Sequence, residues 1–155
     1  MDAAYFLRLF AYNDWANSRF IEVLKTAQAS GIVIPENALE FLSHNLGAQE
    51  IWLCRIQDIP GGKELFSLKS LPEIEFLNQS STQKWLDIIE KHKNELFDFE
   101  VIYKNQEGQS FQNSLAEICT HVSNHGTYHR GQIARTLKAA GIQPPSSDFI
   151  VFSRI

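Results

Sequence analysis

The chain has 155 residues, enough for one domain over 1–155 whose hydrophobic core needs no disulfide staple. Charged residues make up 21% and apolar residues 44%, the profile of an ordinary globular protein, and the formal charge of −4 gives no electrostatic basis for nucleic-acid binding. No run of 18 apolar residues occurs, so no membrane-spanning segment is expected.

The opening Met1-Asp2-Ala3-Ala4-Tyr5 lacks a basic stretch followed by an apolar one, so no signal peptide is expected and the location is read as cytoplasmic. A first helix is predicted from about Ala3 to Ala29, with Phe6, Leu9, Phe10, Asn13, Phe20 and Leu24 near helical spacing and Gly31 as its stop. Pro35-Glu36 opens a second, carried through Leu39, Leu42, Leu46, Ile51, Trp52 and Ile56 until Pro60-Gly61-Gly62 breaks it. Residues 61–80 read as a loop with room for a short helix, punctuated by Pro72. A third helix is expected near Thr82 to Phe97, with Trp85, Ile88, Ile89, His92 and Leu96 on one stripe.

Phe99 to Tyr103 has strand character, Asn105-Gln106-Glu107-Gly108 reads as a turn, and Gln109 to Asn113 returns as a second short strand. Ser114 with Glu117 three residues on is a capping box, opening a fourth helix to Ala140 with Gly141 just past its end. The tail through Pro144-Pro145 reads as extended and ends in the apolar run Phe149-Ile150-Val151-Phe152. Four long amphipathic helices and one hairpin imply an all-α four-helix bundle, with the hairpin in the crossover before the last helix.

Cys54 and Cys119 lie inside apolar helical patterns and read as small buried hydrophobes in a reducing compartment. The histidines carry more information. His121, His125 and His129 recur every four residues, about 40° around a helix and about 6 Å along it per step. Either adjacent pair can chelate one ion, whereas the outer two are about 12 Å apart. Spacing leaves both pairs open. Bundle sites are completed from a facing helix, and His44, between Phe41, Leu42 and Leu46, is the best-placed candidate. Three neutral imidazoles suit Zn²⁺, Ni²⁺ or a similar borderline ion and leave an open coordination position. His92, with no partner at helical spacing, reads as a packed core residue. A zinc-protease helix is excluded, because Val122 and Gly126 stand where the general-base Glu would follow its His. Gly61-Gly62 lacks the context of a phosphate loop, and neither cysteine has the setting of a nucleophile.

Arg130 is expected to pair with a carboxylate such as Glu50 or Asp14. Gly131, mid-helix, costs about 1 kcal/mol relative to Ala, which points to close helix–helix contact there. Tyr5, Trp15 and Trp52 are read as core or pocket wall.

The segment His121-Val-Ser-Asn-His125-Gly-Thr-Tyr-His129-Arg130-Gly131-Gln132-Ile133 resembles the signature of the DinB-like (DNA-damage-inducible) family of metal-dependent enzymes, in the wider DinB/YfiT-like superfamily. Tyr12-Asn13-Asp14-Trp15-Ala16-Asn17, Ser43-His44-Asn45 with Glu50-Ile51-Trp52, and Gly141, Pro144-Pro145 and Asp148-Phe149 are similar to further parts of its pattern, from near residue 5 to near residue 152. The resemblance implies an up-down-down-up four-helix bundle and a divalent ion on His44, His125 and His129. It places His121 one turn outside, as a neighbour or pocket-lining residue. Asn45, Gln49 and Tyr128 are candidates to orient the ligands or line the mouth.

Some relatives in the superfamily are thiol-dependent S-transferases. The resemblance therefore implies a transferase or hydrolase acting on a small-molecule substrate, with a low-molecular-weight thiol as an added cofactor. Metal lowers the pKa of a bound thiol or water, and the thiolate is the nucleophilic form. A homodimer is also implied. The competing readings are a non-catalytic metal-binding stress-response protein and a purely structural helical protein.

Overall fold

The computed structural model describes residues 2–105 and 107–155. Met1 and Gln106 lie outside them, and with Gln106 part of the turn expected over residues 105–108. Helix α1 spans Ala3–Ala29, α2 Glu36–Ile56, α3 Leu71–Lys91 and α4 Leu115–Ala139. A 3-10 turn, Lys63–Phe66, lies between α2 and α3, and the antiparallel strands β1 (Glu100–Lys104) and β2 (Ser110–Ser114) precede α4.

Cross-helix contacts give the directions of the helices. Lys25 near the end of α1 meets Glu75 near the start of α3, and Phe10 stacks on Trp85, so these two run antiparallel. On α2, Ser43 meets Lys69 just before α3, and Glu50 meets Lys84 further along, so these are parallel. Phe41 lies against His129 and Trp52 against His121, so α2 and α4 oppose each other. The result is the up-down-down-up bundle, with the hairpin in the last crossover.

The element ends follow local chemistry. The Asp2 carboxylate accepts from the Tyr5 N–H at the start of α1. At α4 the Glu117 carboxylate accepts from the Ser114 N–H at 2.9 Å, closing the expected capping box. Gly141, at φ +74°, stops the helix in the left-handed conformation.

Two expectations are corrected. Helix α3 begins at Leu71, not near Thr82, and ends at Lys91, not Phe97. Pro72 sits in its first turn, where a missing N–H costs nothing, and Glu73 accepts from the Ser70 N–H at 2.7 Å, so the proline opens a helix where a loop was expected. The tail is not extended throughout, since Phe149–Phe152 forms a short helix, α5, whose aromatic rings pack on Tyr12 and Trp15.

The core has two apolar halves. One gathers Phe6, Phe10, Trp85, Ile89 and Val122 toward the hairpin end; the other gathers Phe20, Leu24, Leu42, Ile74, Ile133 and Leu137. Buried polar groups from all four helices lie among them: Asn13 and Asn17, Asn45 and Gln49, Asn78 and Ser81, and Arg130. Asn17 donates to Asn78 at 2.9 Å. Arg130, 2% exposed, donates to Asn13 at 2.5 Å and Asn17 at 2.9 Å. The expected carboxylate partner is not found among the described residues, because Glu50 pairs with Lys84 and Asp14 accepts from Asn78.

Gly131 is also corrected, since a Cβ there would meet nothing within 4 Å. The close approach is at Gly126, where a Cβ would sit 2.5 Å from Asn13 Oδ1 and 3.0 Å from Arg130 Nη1.

Candidate metal centre

His44 comes from α2, and His125 and His129 from successive turns of the opposing α4. One ligand atom from each ring lies within 4.8 Å of the others. The ring centroids are 5.3 Å apart for His44–His125, 4.7 Å for His44–His129 and 4.4 Å for His125–His129. His125 Nε2 and His129 Nε2 are 3.1 Å apart. A tetrahedral ion at about 2.0–2.1 Å from each nitrogen separates its donors by roughly 3.3 Å, so this pair is already near chelating distance.

Neighbouring residues hold the rings. His129 Nδ1 lies 2.7 Å from Gln132 Oε1; an amide oxygen only accepts, so Nδ1 carries the proton and Nε2 faces the other imidazoles with its lone pair. Phe66 lies 5.2 Å from the His44 ring. It is placed there because the 3-10 turn drapes over α2 at Gly47, where a Cβ would lie 2.5 Å from the Leu65 carbonyl oxygen. Phe41 stacks on His129 from the far side.

Electrostatics favour the neutral, metal-binding form of all three. Burial lowers the pKa of His44, and burial followed by repulsion from His129, His44 and His121 takes His125 down to about 4. His129 is lowered chiefly by burial, against the opposing hydrogen bond to Gln132. A cluster of neutral imidazoles whose nitrogens converge, with one tautomer fixed from behind, is a donor set that fits a borderline divalent ion.

His121 stands one turn away, its ring 5.6 Å from His125 and edge-on to Trp52 at 5.5 Å, and it is not part of the converging group. His92 is a packed core residue as expected, with Nδ1 2.8 Å from Glu95 and its ring against Phe99. Asn45 and Gln49 lie among the buried polar groups, where Asn45 donates to Asn17 and Gln49 accepts from Ser81. Tyr128 is 65% exposed and flanks His129. Sequence reasoning gave Gln132 no role, although its place three residues after His129 put it within reach on the same helix face.

Both cysteines are free. Cys119 is buried and its thiol is pushed up to about 12, while Cys54, only partly buried, is raised by burial and by Glu50, so neither is an activated nucleophile.

Two clefts meet at His121 and His125. The first, about 620 Å³, lies between α1 and α4 and is walled by Phe6, Phe97 and Tyr128. The second, about 480 Å³, also reaches His44 and is closed by Trp52, the 3-10 turn and the end of β1.

The DinB family pattern matches residues 1–155. The chain belongs to the DinB family. It is 28% identical over 159 residues to Protein DinB of Bacillus subtilis (strain 168), an alignment covering 92% of this chain and 90% of that protein. In this DinB-family chain, no helix among the described residues is long and apolar enough to cross a membrane.

Proposed function

We propose that this DinB-family protein is a metal-dependent enzyme of transferase or hydrolase type, acting on a small-molecule substrate, with His44, His125 and His129 as ligands of Zn²⁺ or Ni²⁺. The observation that carries this is the convergence of three imidazole nitrogens between α2 and α4, with two clefts meeting at His125 and one of them reaching His44. A bound divalent ion supplies Lewis acidity at the remaining coordination position, lowering the pKa of a thiol or water there.

The residues around the group have separate tasks. Gln132 holds the His129 tautomer. Phe41 and Phe66 flank the His129 and His44 rings. Trp52 and His121 wall the approach to His125. A low-molecular-weight thiol is the co-substrate that suits this arrangement, because neither cysteine of the chain is poised to react.

A homodimer is part of the same reading. The exposed Phe97 and Tyr128 line the first cleft and the exposed Tyr5 packs on Phe6 of its wall, an aromatic face on the α1–α4 side that supports it. Light scattering tests it directly.

The function is tested with untagged protein. Stoichiometric Zn or Ni by elemental analysis, lost in His125→Ala, is the expected result. The loaded protein is then assayed for consumption of bacillithiol, glutathione and similar thiols against electrophiles, and for ester hydrolysis. Bound metal with no turnover of any thiol or ester favours the non-catalytic metal-binding protein, and absence of metal overturns the site.

A further inference from the structure

The second cleft carries charge of one sign. Arg55, Lys63 and Lys104 line it together with Trp52 and Phe66, and among the described residues its lining contains no carboxylate. The first cleft, by contrast, is lined among the described residues by apolar and neutral polar residues, histidines and Glu117, with neither Lys nor Arg. The positive charge is therefore confined to the side of the histidine group that also reaches His44.

These cations are not neutralised from within. Among the described residues none of the three forms an ion pair, and two acids on this side, Glu50 and Glu64, have other hydrogen-bond partners. Glu50 pairs with Lys84 at 2.9 Å, and Glu64 accepts from the Gly62 N–H at 2.9 Å. Arg55 is held in place without a salt bridge. Its guanidinium lies over the Trp52 ring at 4.5 Å and the Tyr103 ring at 4.7 Å, which fixes its plane and strips part of its water. Burial lowers its pKa without removing its charge. Its hydrogen bond to the Lys104 carbonyl is 3.5 Å long, at the limit of such a contact, so most of its planar fork of donors is uncommitted. A partly desolvated, pre-oriented guanidinium with free donors matches an oxyanion bidentately. A cleft of this volume accepts a metabolite-sized molecule.

We propose that the second cleft recognises a small molecule through a negatively charged group, a carboxylate or a phosphate, seated against Arg55, Lys63 and Lys104, with the rest of the molecule directed at His44 and His125. The direction of that far end rests on the metal-site reading above; the anion seat does not.

The test titrates the full chain, with and without Co²⁺, against mercaptosuccinate, 2-mercaptoethyl phosphate and the neutral thioglycerol, read by calorimetry and tryptophan fluorescence. At least one anionic thiol binds about 10-fold or more tightly than thioglycerol, the size of one charge-assisted hydrogen bond, and which one does so separates carboxylate from phosphate. Arg55→Gln removes most of that preference and Arg55→Lys restores part of it. Lys63→Gln, on an exposed turn where folding is not at stake, lowers it several-fold. Equal affinity for charged and neutral thiols overturns the inference, as does a preference that survives both Arg55→Gln and Lys63→Gln. Cobalt absorption in the same samples reports the histidine group separately. A cobalt spectrum without anion preference overturns the anion seat alone, while anion preference in protein that takes up no cobalt overturns the metal site alone.

Discussion

Arg130 Nη1 donates to Asn13 Oδ1 at 2.5 Å, joining α4 to α1 across 117 residues of chain. The guanidinium is buried and, among the described residues, its hydrogen bonds run to amide and hydroxyl oxygens only: Asn13, Asn17 and Thr127. The Tyr12 ring adds a cation–π contact at 5.2 Å. A buried cation held by neutral acceptors depends on each of them, because its desolvation is offset only by these hydrogen bonds and the ring contact. Asn13→Ala is therefore expected to cost about 2–4 kcal/mol in urea unfolding. Asn13→Asp, which keeps the acceptor and adds the opposite charge, costs less. Equal losses for the two variants would contradict this account.

The two glycines of the α4 signature separate cleanly. Gly126→Ala places a Cβ against Asn13 Oδ1 and displaces the acceptor just described, so it destabilises by about 1–3 kcal/mol. Gly131→Ala meets open space on a helix and stabilises by up to about 1 kcal/mol through helix propensity. Thermal melts of both variants check the opposite signs.

The bundle was legible because its signals are local: apolar spacing, the Ser114–Glu117 box and Gly141 each act within one helix. The start of α3 was misread because Pro72 marks either a break or a first turn, and only the Ser70–Glu73 hydrogen bond distinguishes them. At the site, four-residue spacing limited the chelating pairs to two, and family resemblance, not geometry, chose between them. Arg130 was misassigned because its acceptors are asparagines on another helix, and no periodicity links Asn13 to residue 130. The cationic cleft was invisible for the same reason, since Arg55, Lys63 and Lys104 come from a helix, a turn and a strand end.

Acid acts on the carboxylates in two directions. Glu117 and Glu73 have lowered pKa values, Glu117 first through the Ser114 backbone N–H and Glu73 first through the Ser70 hydroxyl. Their contribution is complete above the unfolded carboxylate pKa of about 4.3 and disappears as pH falls through the lower folded values. Asp14 is raised, by burial first, so its ionisation opposes folding and the penalty grows as pH rises from the unfolded to the folded pKa. In melts from pH 3 to pH 7, Glu73→Gln and Glu117→Gln are expected to flatten the acid limb. Asp14→Asn steepens the rise with pH and gains stability at neutral pH relative to the parent, since the amide keeps the acceptor for Asn78 without the charge. A Glu117→Gln acid limb identical to the parent's would show that this box contributes nothing to the pH dependence.

Gln132 separates the metal-site reading from mere clustering of histidines. Its Oε1 fixes the proton of His129 on Nδ1 and so presents Nε2 toward His125, 3.1 Å away. An outer partner of this kind contributes about 10–100-fold in metal affinity. Gln132→Leu removes the acceptor but keeps the side-chain bulk at a half-buried position on α4, so the fold is expected to persist while Zn²⁺ affinity, measured by chelator competition, drops by about that factor. His129→Ala abolishes tight binding altogether. Chelator lowers the melting temperature of the loaded parent and leaves His129→Ala unmoved, because only bound metal stabilises the folded state by mass action. If Gln132→Leu holds Zn²⁺ as tightly as the parent, the imidazole is oriented by packing against Phe41 and Tyr128 instead, and the hydrogen bond is incidental.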